Sequence, residues 1–160
     1  MVWPKQIGVQ KKELAQRHLL RLEFWKQLLE KAKVQTSLHA RVSPSKDNWV
    51  NAGAGKSGLT FAYIILMQGA QVELGIDTGD AEENERIFQW LFDQKESIES
   101  AFGGSLDWDQ VDNRRACYLR YHLRGQGLTD QEQWPQTQEA MIEAMVRLEN
   151  ALKPHIQRLS

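Results

Sequence analysis

Apolar residues recur with helical spacing near the start of the chain. Five residues follow one another at intervals of three or four: Leu14, His18, Leu22, Trp25 and Leu29. This spacing puts their side chains on one side of a helix, and we predict a helix over residues 10–33. Residues 1–9 are then a short lead, and residues 34–46, which have no apolar period, are predicted to form a loop.

The middle of the chain is predicted to form three strands joined by short turns. The first lies near Asn48–Ala52, before a glycine-rich turn, and the second is the apolar run Leu59–Met67. Because successive residues of this run are apolar, we expect both of its faces to be covered. The third strand, Gln71–Asp77, alternates, with Val72, Leu74 and Ile76 pointing inward and Glu73, Gly75 and Asp77 pointing outward. Short turns between consecutive strands predict an antiparallel meander.

Two further helices and one extended segment complete the predicted order. Asp80 and Glu83 have the spacing of a helix start, and the helix that they open ends at Gly103. An extended segment covers Arg114–Arg124, and the last helix begins at Pro135. The order α-β-β-β-α-β-α predicts a single α+β domain over the whole chain, with an antiparallel meander sheet flanked by helices. The same order occurs in the restriction-endonuclease-like core, which is therefore a possible topology.

Composition narrows the class of protein. The chain has 160 residues, of which 41% are hydrophobic and 26% charged, as is usual for one globular domain. No apolar run approaches the roughly 20 residues of a membrane span, so we expect no membrane partner. The absence of a secretory signal pattern and the presence of a single cysteine, Cys117, predict a cytoplasmic protein.

Charge is balanced overall but uneven along the chain. Residues 1–46 contain ten basic and three acidic residues, a net charge of +7, whereas residues 47–112 contain three basic and thirteen acidic residues, a net charge of −10. A basic first helix is able to meet phosphate or an acidic partner. Alternatively, it neutralises the acidic middle of the same chain after folding. Both interpretations remain open from the sequence.

A phosphate-binding loop is suggested by Gly55-Lys56-Ser57 but lacks the rest of its motif. The P-loop requires a glycine five residues before its second glycine, and that position is Val50. The segment that follows is a predicted strand, whereas a P-loop leads into a helix. We therefore predict no nucleotide binding and place Lys56 at a hairpin tip.

Nuclease chemistry is a second candidate, because restriction-endonuclease-like sites carry Glu/Asp-x-Lys on the third strand. Here the third strand has Glu73-Leu74-Gly75, with glycine where the lysine would stand. Glu73 and Asp77 share the outward face, so a divergent metal-dependent nuclease using these two carboxylates is kept as an alternative. The histidines are scattered without metal-ligand spacing. We accordingly predict no catalytic residue, metal or other cofactor.

A basic, partly aromatic face is predicted on the last extended segment. Its residues alternate with apolar ones and, with Arg114 at the start of the segment, form a candidate nucleic-acid-binding set: Arg114, Tyr118, Arg120, His122 and Arg124. Arginines beside an aromatic ring on an open sheet suit phosphate binding and base stacking. The alternative is a solvated edge strand whose charges prevent aggregation.

Tryptophans and acidic segments along nearly the whole chain match the pattern of a known family. They include Phe24-Trp25, Trp49 before a glycine turn, Val72–Asp77, Lys95-Glu96, Phe102-Gly103, Trp108, Trp134 and Arg147-Leu148. On these residues the chain resembles domain-of-unknown-function family 4268, an uncharacterised prokaryotic family often found C-terminal to nuclease-like domains. The resemblance implies an accessory role near DNA restriction or repair, and it supplies no catalytic residue.

Three functional hypotheses follow. The first is a non-catalytic accessory module that binds nucleic acid, such as DNA, or a nuclease-type protein. The second is a protein-interaction or dimerisation domain that uses the tryptophan-rich or methionine-bearing helix faces. The third is the divergent nuclease described above.

Overall fold

A five-stranded antiparallel sheet lies at the centre of the structure. The computed structural model describes residues 4–110 and 116–159. The strands are β1 (Trp49–Gly53), β2 (Leu59–Ile65), β3 (Ala70–Ile76), β4 (Asp107–Gln110) and β5 (Cys117–Leu123), in the spatial order β1-β2-β3-β5-β4. The helices are α1 (Pro4–Gln35), α2 (Ala81–Phe92), α3 (Lys95–Phe102) and α4 (Trp134–Gln157), with a 3₁₀ turn at Gln131–Gln133. The predicted α+β class and order are confirmed.

The first three strands form the predicted meander. β2 and β3 pair along their full length, from Leu59 opposite Ile76 to Ile65 opposite Ala70. Their turn is tight because Gly69 adopts a φ of 112°, a left-handed conformation that glycine reaches without steric cost. The N–H of Leu66 donates to the carbonyl of Gly69 at 3.0 Å and closes the turn.

One face of the sheet is covered by the helices. The alternating residues of β2, β3 and β5 on this face join one apolar core with α4, as their period of two requires. The core members include Phe61, Tyr63, Val72, Leu74, Ile76, Cys117 and Leu119 from the strands and Met141, Met145, Leu148, Leu152 and Ile156 from α4. The inward positions predicted for the third strand are thus confirmed. Cys117 is buried as well.

The other face of the sheet carries no helix among the described residues. Thr60, Ala62 and Ile64 of β2 point to this face, and none of them belongs to the apolar core that the helices cover. The prediction that both faces of β2 are covered was therefore wrong. The apolar run misled here because Ala62 and Ile64 lie on a sheet face that no helix covers within residues 4–110 and 116–159.

The segment between β3 and β4 differs from its prediction. Sequence analysis predicted one helix ending at Gly103, but the helix breaks at Asp93 and Gln94. Gln94 has φ −112° and ψ 20°, outside the helical region, and α3 starts again after it. The N-cap at Asp80 is confirmed, since its side chain accepts from the N–H of Glu82 at 3.0 Å. β4 was not predicted at all.

Helix α1 is longer than predicted and only half of it packs on the domain. Its second half buries Phe24, Trp25, Leu28, Leu29 and Ala32. In the first half, Leu14 and Leu22 are exposed, although the apolar stripe predicted them to be buried. Residues 8–16 are all exposed, so the stripe continues into a part of the helix that no described residue covers. None of the described helices is apolar enough over a sufficient length to cross a membrane.

Candidate functional site

The uncovered side of the sheet gathers the polar residues that the sequence singled out. We call this side the open face, defined by Trp49, Asn51, Thr60, Ala62, Ile64, Gln71, Glu73, Gly75, Asp107, Asp109, Tyr118, Arg120 and His122. The strand register places Glu73 opposite Arg120, and Arg120 in turn opposite Asp107. Opposite residues on one face lie within side-chain reach, so the open face joins groups from three neighbouring strands.

Arg120 is held by two carboxylates and an aromatic ring. Its Nε donates to Glu73 Oε2 at 2.7 Å, and its second contact is a short hydrogen bond to Asp109 Oδ2. The guanidinium carbon lies 4.3 Å from the centroid of the Tyr118 ring. The side chains of Arg120, Glu73 and Asp109 are only 18%, 10% and 22% exposed. We call these four residues the Arg120 cluster.

Burial and charge act in opposite directions within the cluster. Burial raises the pKa of Glu73, while the hydrogen bond and charge of Arg120 oppose the rise. Burial disfavours the charged form of Arg120, but the hydrogen bonds and charges of Glu73 and Asp109 raise its pKa overall. With all three groups ionised, one cation is shared by two anions. A phosphate approaching Arg120 would have to compete with both carboxylates.

The other predicted binding residues are placed differently. The Nε2 of His122 lies 3.1 Å from Asp107 Oδ2, and both side chains are largely exposed. Arg124 is exposed just beyond the end of β5, and Arg114 lies outside the described residues. The structure therefore brings Tyr118, Arg120 and His122 to one face, as their alternation predicts.

Sequence analysis missed the acidic partners of this set. Asp107 and Asp109 come from β4, a strand of four residues with no apolar run, and their distance along the chain gave no reason to pair them with Arg120. The alternation Asp107-Trp108-Asp109 was the one available signal, since polar residues flank an apolar one at strand spacing. The nucleic-acid-binding role of the basic set stays a prediction.

A groove of about 430 Å³ runs over the open face beside the Arg120 cluster. Its floor is made by small residues, Thr60, Ala62 and Gly75, between Trp49 and Tyr118. A Cβ on Gly75 would lie 3.3 Å from Thr60 Oγ1 and 3.6 Å from Cε1 of Tyr118. A Cβ there would therefore be tight against Thr60 Oγ1, whereas its distance to the Tyr118 ring is an ordinary contact. The indole of Trp49 is 46% exposed at the edge of the groove.

The two carboxylates of the nuclease alternative have other contacts. Glu73 is bonded to Arg120, and Asp77 Oδ1 accepts from the N–H of Gly79 at 3.3 Å, just after β3. Within residues 4–110 and 116–159, no group of three or more His, Cys, Asp or Glu side chains is arranged to hold a metal ion. The nuclease alternative stays an untested prediction. The Gly55–Ser57 segment lies in the β1–β2 hairpin turn, as expected.

Comparison with known proteins gives a family but no function. The sequence model of the family described as "Domain of unknown function (DUF4268)" matches residues 20–156. The match confirms the resemblance drawn from the sequence, covers all five strands, and begins inside α1. No curated protein and no solved structure matches the chain.

Proposed function

Since this chain belongs to the family described as Domain of unknown function (DUF4268), we propose its function from the geometry of the open face. The domain is a non-catalytic accessory module that binds a protein partner on this face. The partner contributes a segment that carries basic and apolar side chains. A nuclease-type protein is the partner class suggested by the family resemblance.

The groove beside the Arg120 cluster is the observation that carries this proposal. An exposed indole and a tyrosine ring flank a floor of small residues. Trp and Tyr are enriched at protein interfaces because they bury a large area while losing little rotamer entropy. The cluster fixes Tyr118 and Arg120 in advance, so a partner would meet a rigid surface and lose less entropy on binding.

Charge on the open face favours a basic partner over nucleic acid. Glu73, Asp107 and Asp109 contribute three carboxylates, whereas Arg120 is the one permanent cation among the residues that define the face. A surface with this balance attracts cationic segments and repels a phosphate backbone.

Peptide selection tests this function. We expect a displayed library of random 16-residue peptides, selected on the wild-type protein, to enrich peptides with net positive charge and apolar residues. Trp49→Ala and Thr60→Arg should weaken binding of the enriched peptides at least tenfold, measured by fluorescence anisotropy. Trp49→Ala removes an aromatic side chain that is about half exposed. Thr60→Arg places a long side chain on the groove floor and fills it.

The matched control is Phe92→Ala, which removes an exposed aromatic side chain from α2, away from the open face. It should leave peptide affinity unchanged. Enrichment of acidic peptides, or equal weakening by all three variants, would contradict a basic segment bound on the open face.

Nucleic-acid binding is the second candidate, and the basic half of α1 is the observation that favours it. Residues 8–22 carry Lys11, Lys12, Arg17 and Arg21 against one acid, Glu13. Arg124, a member of the predicted nucleic-acid-binding set, is also exposed. If this function holds, labelled DNA will bind with an affinity that falls steeply with salt, because each phosphate contact releases counterions.

Fluorescence anisotropy of labelled double-stranded and single-stranded DNA over a salt series makes this measurement. Arg124→Ala should lower the affinity severalfold, with no change in stability because Arg124 is exposed. Gln126→Ala, an exposed uncharged neighbour, is the control. If neither double-stranded nor single-stranded DNA binds the protein at low salt, the nucleic-acid-binding function is wrong.

A further inference from the structure

The first half of α1 has an apolar side that the described structure leaves partly exposed. Leu14, His18 and Leu22 follow at four-residue spacing and continue the line of Trp25, which is buried in the core. Leu14 and Leu22 are 47% and 39% exposed. We call residues 8–22 the free half of α1. A contiguous apolar surface of this kind on an otherwise polar helix is typical of an interaction site.

The free half is also basic. It has a net charge of +3 from Lys11, Lys12, Arg17, Arg21 and Glu13. None of its cations forms a salt bridge in the described part of the chain, and Lys11 and Lys12 are exposed. A basic helical segment with exposed leucines matches the segment that the open face is proposed to bind.

The dimensions of the two surfaces agree. At 1.5 Å per residue the free half is about 22 Å long, and a seven-residue strand spans roughly 23 Å. The small side chains of Thr60, Ala62 and Gly75 allow a helix to approach the sheet closely. The carboxylates of Asp107 and Asp109 lie on the same face to meet its lysines and arginines.

The free half cannot lie on the open face of its own chain. The second half of α1 is fixed on the opposite side of the sheet by Phe24 and Trp25, which lie in the covered core. It is further bound to α4, where Lys31 Nζ donates to Gln138 Oε1 at 2.6 Å. The exposed part of the helix is therefore available to a neighbouring molecule and not to its own sheet.

We propose that the free half of α1 lies across the open face of a second copy of this chain. This inference rests on the proposed function and names a second copy of the chain, in place of a nuclease-type protein, as the occupant of its site. Each copy offers one basic helix and one acidic face, so two copies exchange helices reciprocally about a twofold axis and leave no surface of either kind unpaired. The apolar side of each helix packs over the groove between Trp49 and Tyr118.

A charge-swap experiment tests the dimer. The helix variant combines Lys11→Glu, Lys12→Glu and Arg17→Glu. The face variant combines Asn51→Lys, Gln71→Lys and Asp107→Lys, none of which belongs to the Arg120 cluster. We expect sedimentation velocity to show a wild-type dimer that weakens with salt. Each variant alone should have a dissociation constant at least tenfold higher, because its helix and face carry charge of the same sign.

Mixing the two variants gives the decisive result. The acidic helix of one then meets the basic face of the other, while the remaining helix and face are wild type, so the equimolar mixture should dimerise again. The control variant, Lys33→Glu with Val34→Glu, changes charge on α1 outside the free half and should leave the dimer intact. Circular dichroism establishes that every variant is folded.

Three results would overturn the inference: a wild-type monomer at all concentrations, a dimer that survives both charge reversals, or no recovery on mixing. If the wild type is monomeric but still binds selected basic peptides at Trp49, the dimer is wrong and the proposed function stands. If neither the dimer nor peptide binding is found, both fail.

Discussion

Arg120→Ala is expected to lower the free energy of unfolding by about 3 kcal/mol at neutral pH, the low end of the cost of breaking a buried ion pair. The substitution leaves Glu73 and Asp109 on one sheet face without the cation that both contact. It also removes the guanidinium from the Tyr118 ring. The partial exposure of the cluster places the loss at the low end of that range.

The loss should depend on pH in a defined direction. Burial raises the pKa of Glu73, and Arg120 opposes that rise. Without Arg120 the folded-state pKa increases further above the ordinary value of 4.5, so the folded protein holds its proton more tightly than the unfolded chain does. Such a group stabilises the fold at low pH and loses this contribution as pH rises through the folded-state pKa. The Arg120→Ala protein should therefore be least stable, relative to wild type, above that pKa.

Urea unfolding of wild type and Arg120→Ala at about pH 5 and about pH 8 checks the direction. A double-mutant cycle with Glu73→Gln assigns the effect to the pair, since removing both partners should cost less than the sum of the single changes. Arg124→Ala is the control, because this arginine is exposed and outside the cluster. Equal losses at the two pH values, or additive single changes, would show that Arg120 acts through packing alone.

The surroundings of Arg120 could be predicted from the sequence only in part: its face of the strand was predictable, and its partners were not. Alternation along β5 correctly placed Tyr118, Arg120 and His122 on one face, because the period of two is a local property of a strand. The pairing of Arg120 with Glu73 and Asp109 depends on β5 lying between β3 and β4. That order arises from contacts between residues far apart in sequence, which a local pattern does not contain.

Helix α1 illustrates the same limit in the fold. The spacing of Leu14, Leu22, Trp25 and Leu29 identified one side of the helix correctly. It did not reveal where the domain ends along that side, so Trp25 and Leu29 are buried while Leu14 and Leu22 are exposed. The inward residues of β3 were predicted better because the whole length of this strand is covered by the core.

A second large effect is expected at His39, a histidine that sequence analysis left without a role. It is 2% exposed, its Nε2 lies 3.1 Å from the carbonyl oxygen of Phe61, and its ring centroid lies 4.6 Å from that of Tyr63. Its Nδ1 is buried and has no partner among the described residues. Protonation would therefore place a charge and a second N–H donor in a site that offers the donor no acceptor.

Burial lowers the pKa of His39 from 6.5 to about 4, although the bond to the Phe61 carbonyl opposes the change. Because the folded-state pKa lies below the unfolded one, the contribution of His39 to stability is complete above about pH 6.5. It is lost as pH falls toward 4, where the unfolded chain binds the proton and the folded protein does not. The difference between 6.5 and about 4 corresponds to about 3 kcal/mol.

Urea unfolding of wild type and His39→Gln between about pH 7 and pH 4 measures this contribution. Glutamine is uncharged throughout and its amide is able to donate to the Phe61 carbonyl, so the variant lacks the proton linkage while keeping the bond. The wild type should lose about 3 kcal/mol more than the variant over this range. Titration of Glu73 occurs in both proteins and cancels in the comparison. A His39→Gln protein with the same acid sensitivity as wild type would show that His39 does not stay neutral in the fold.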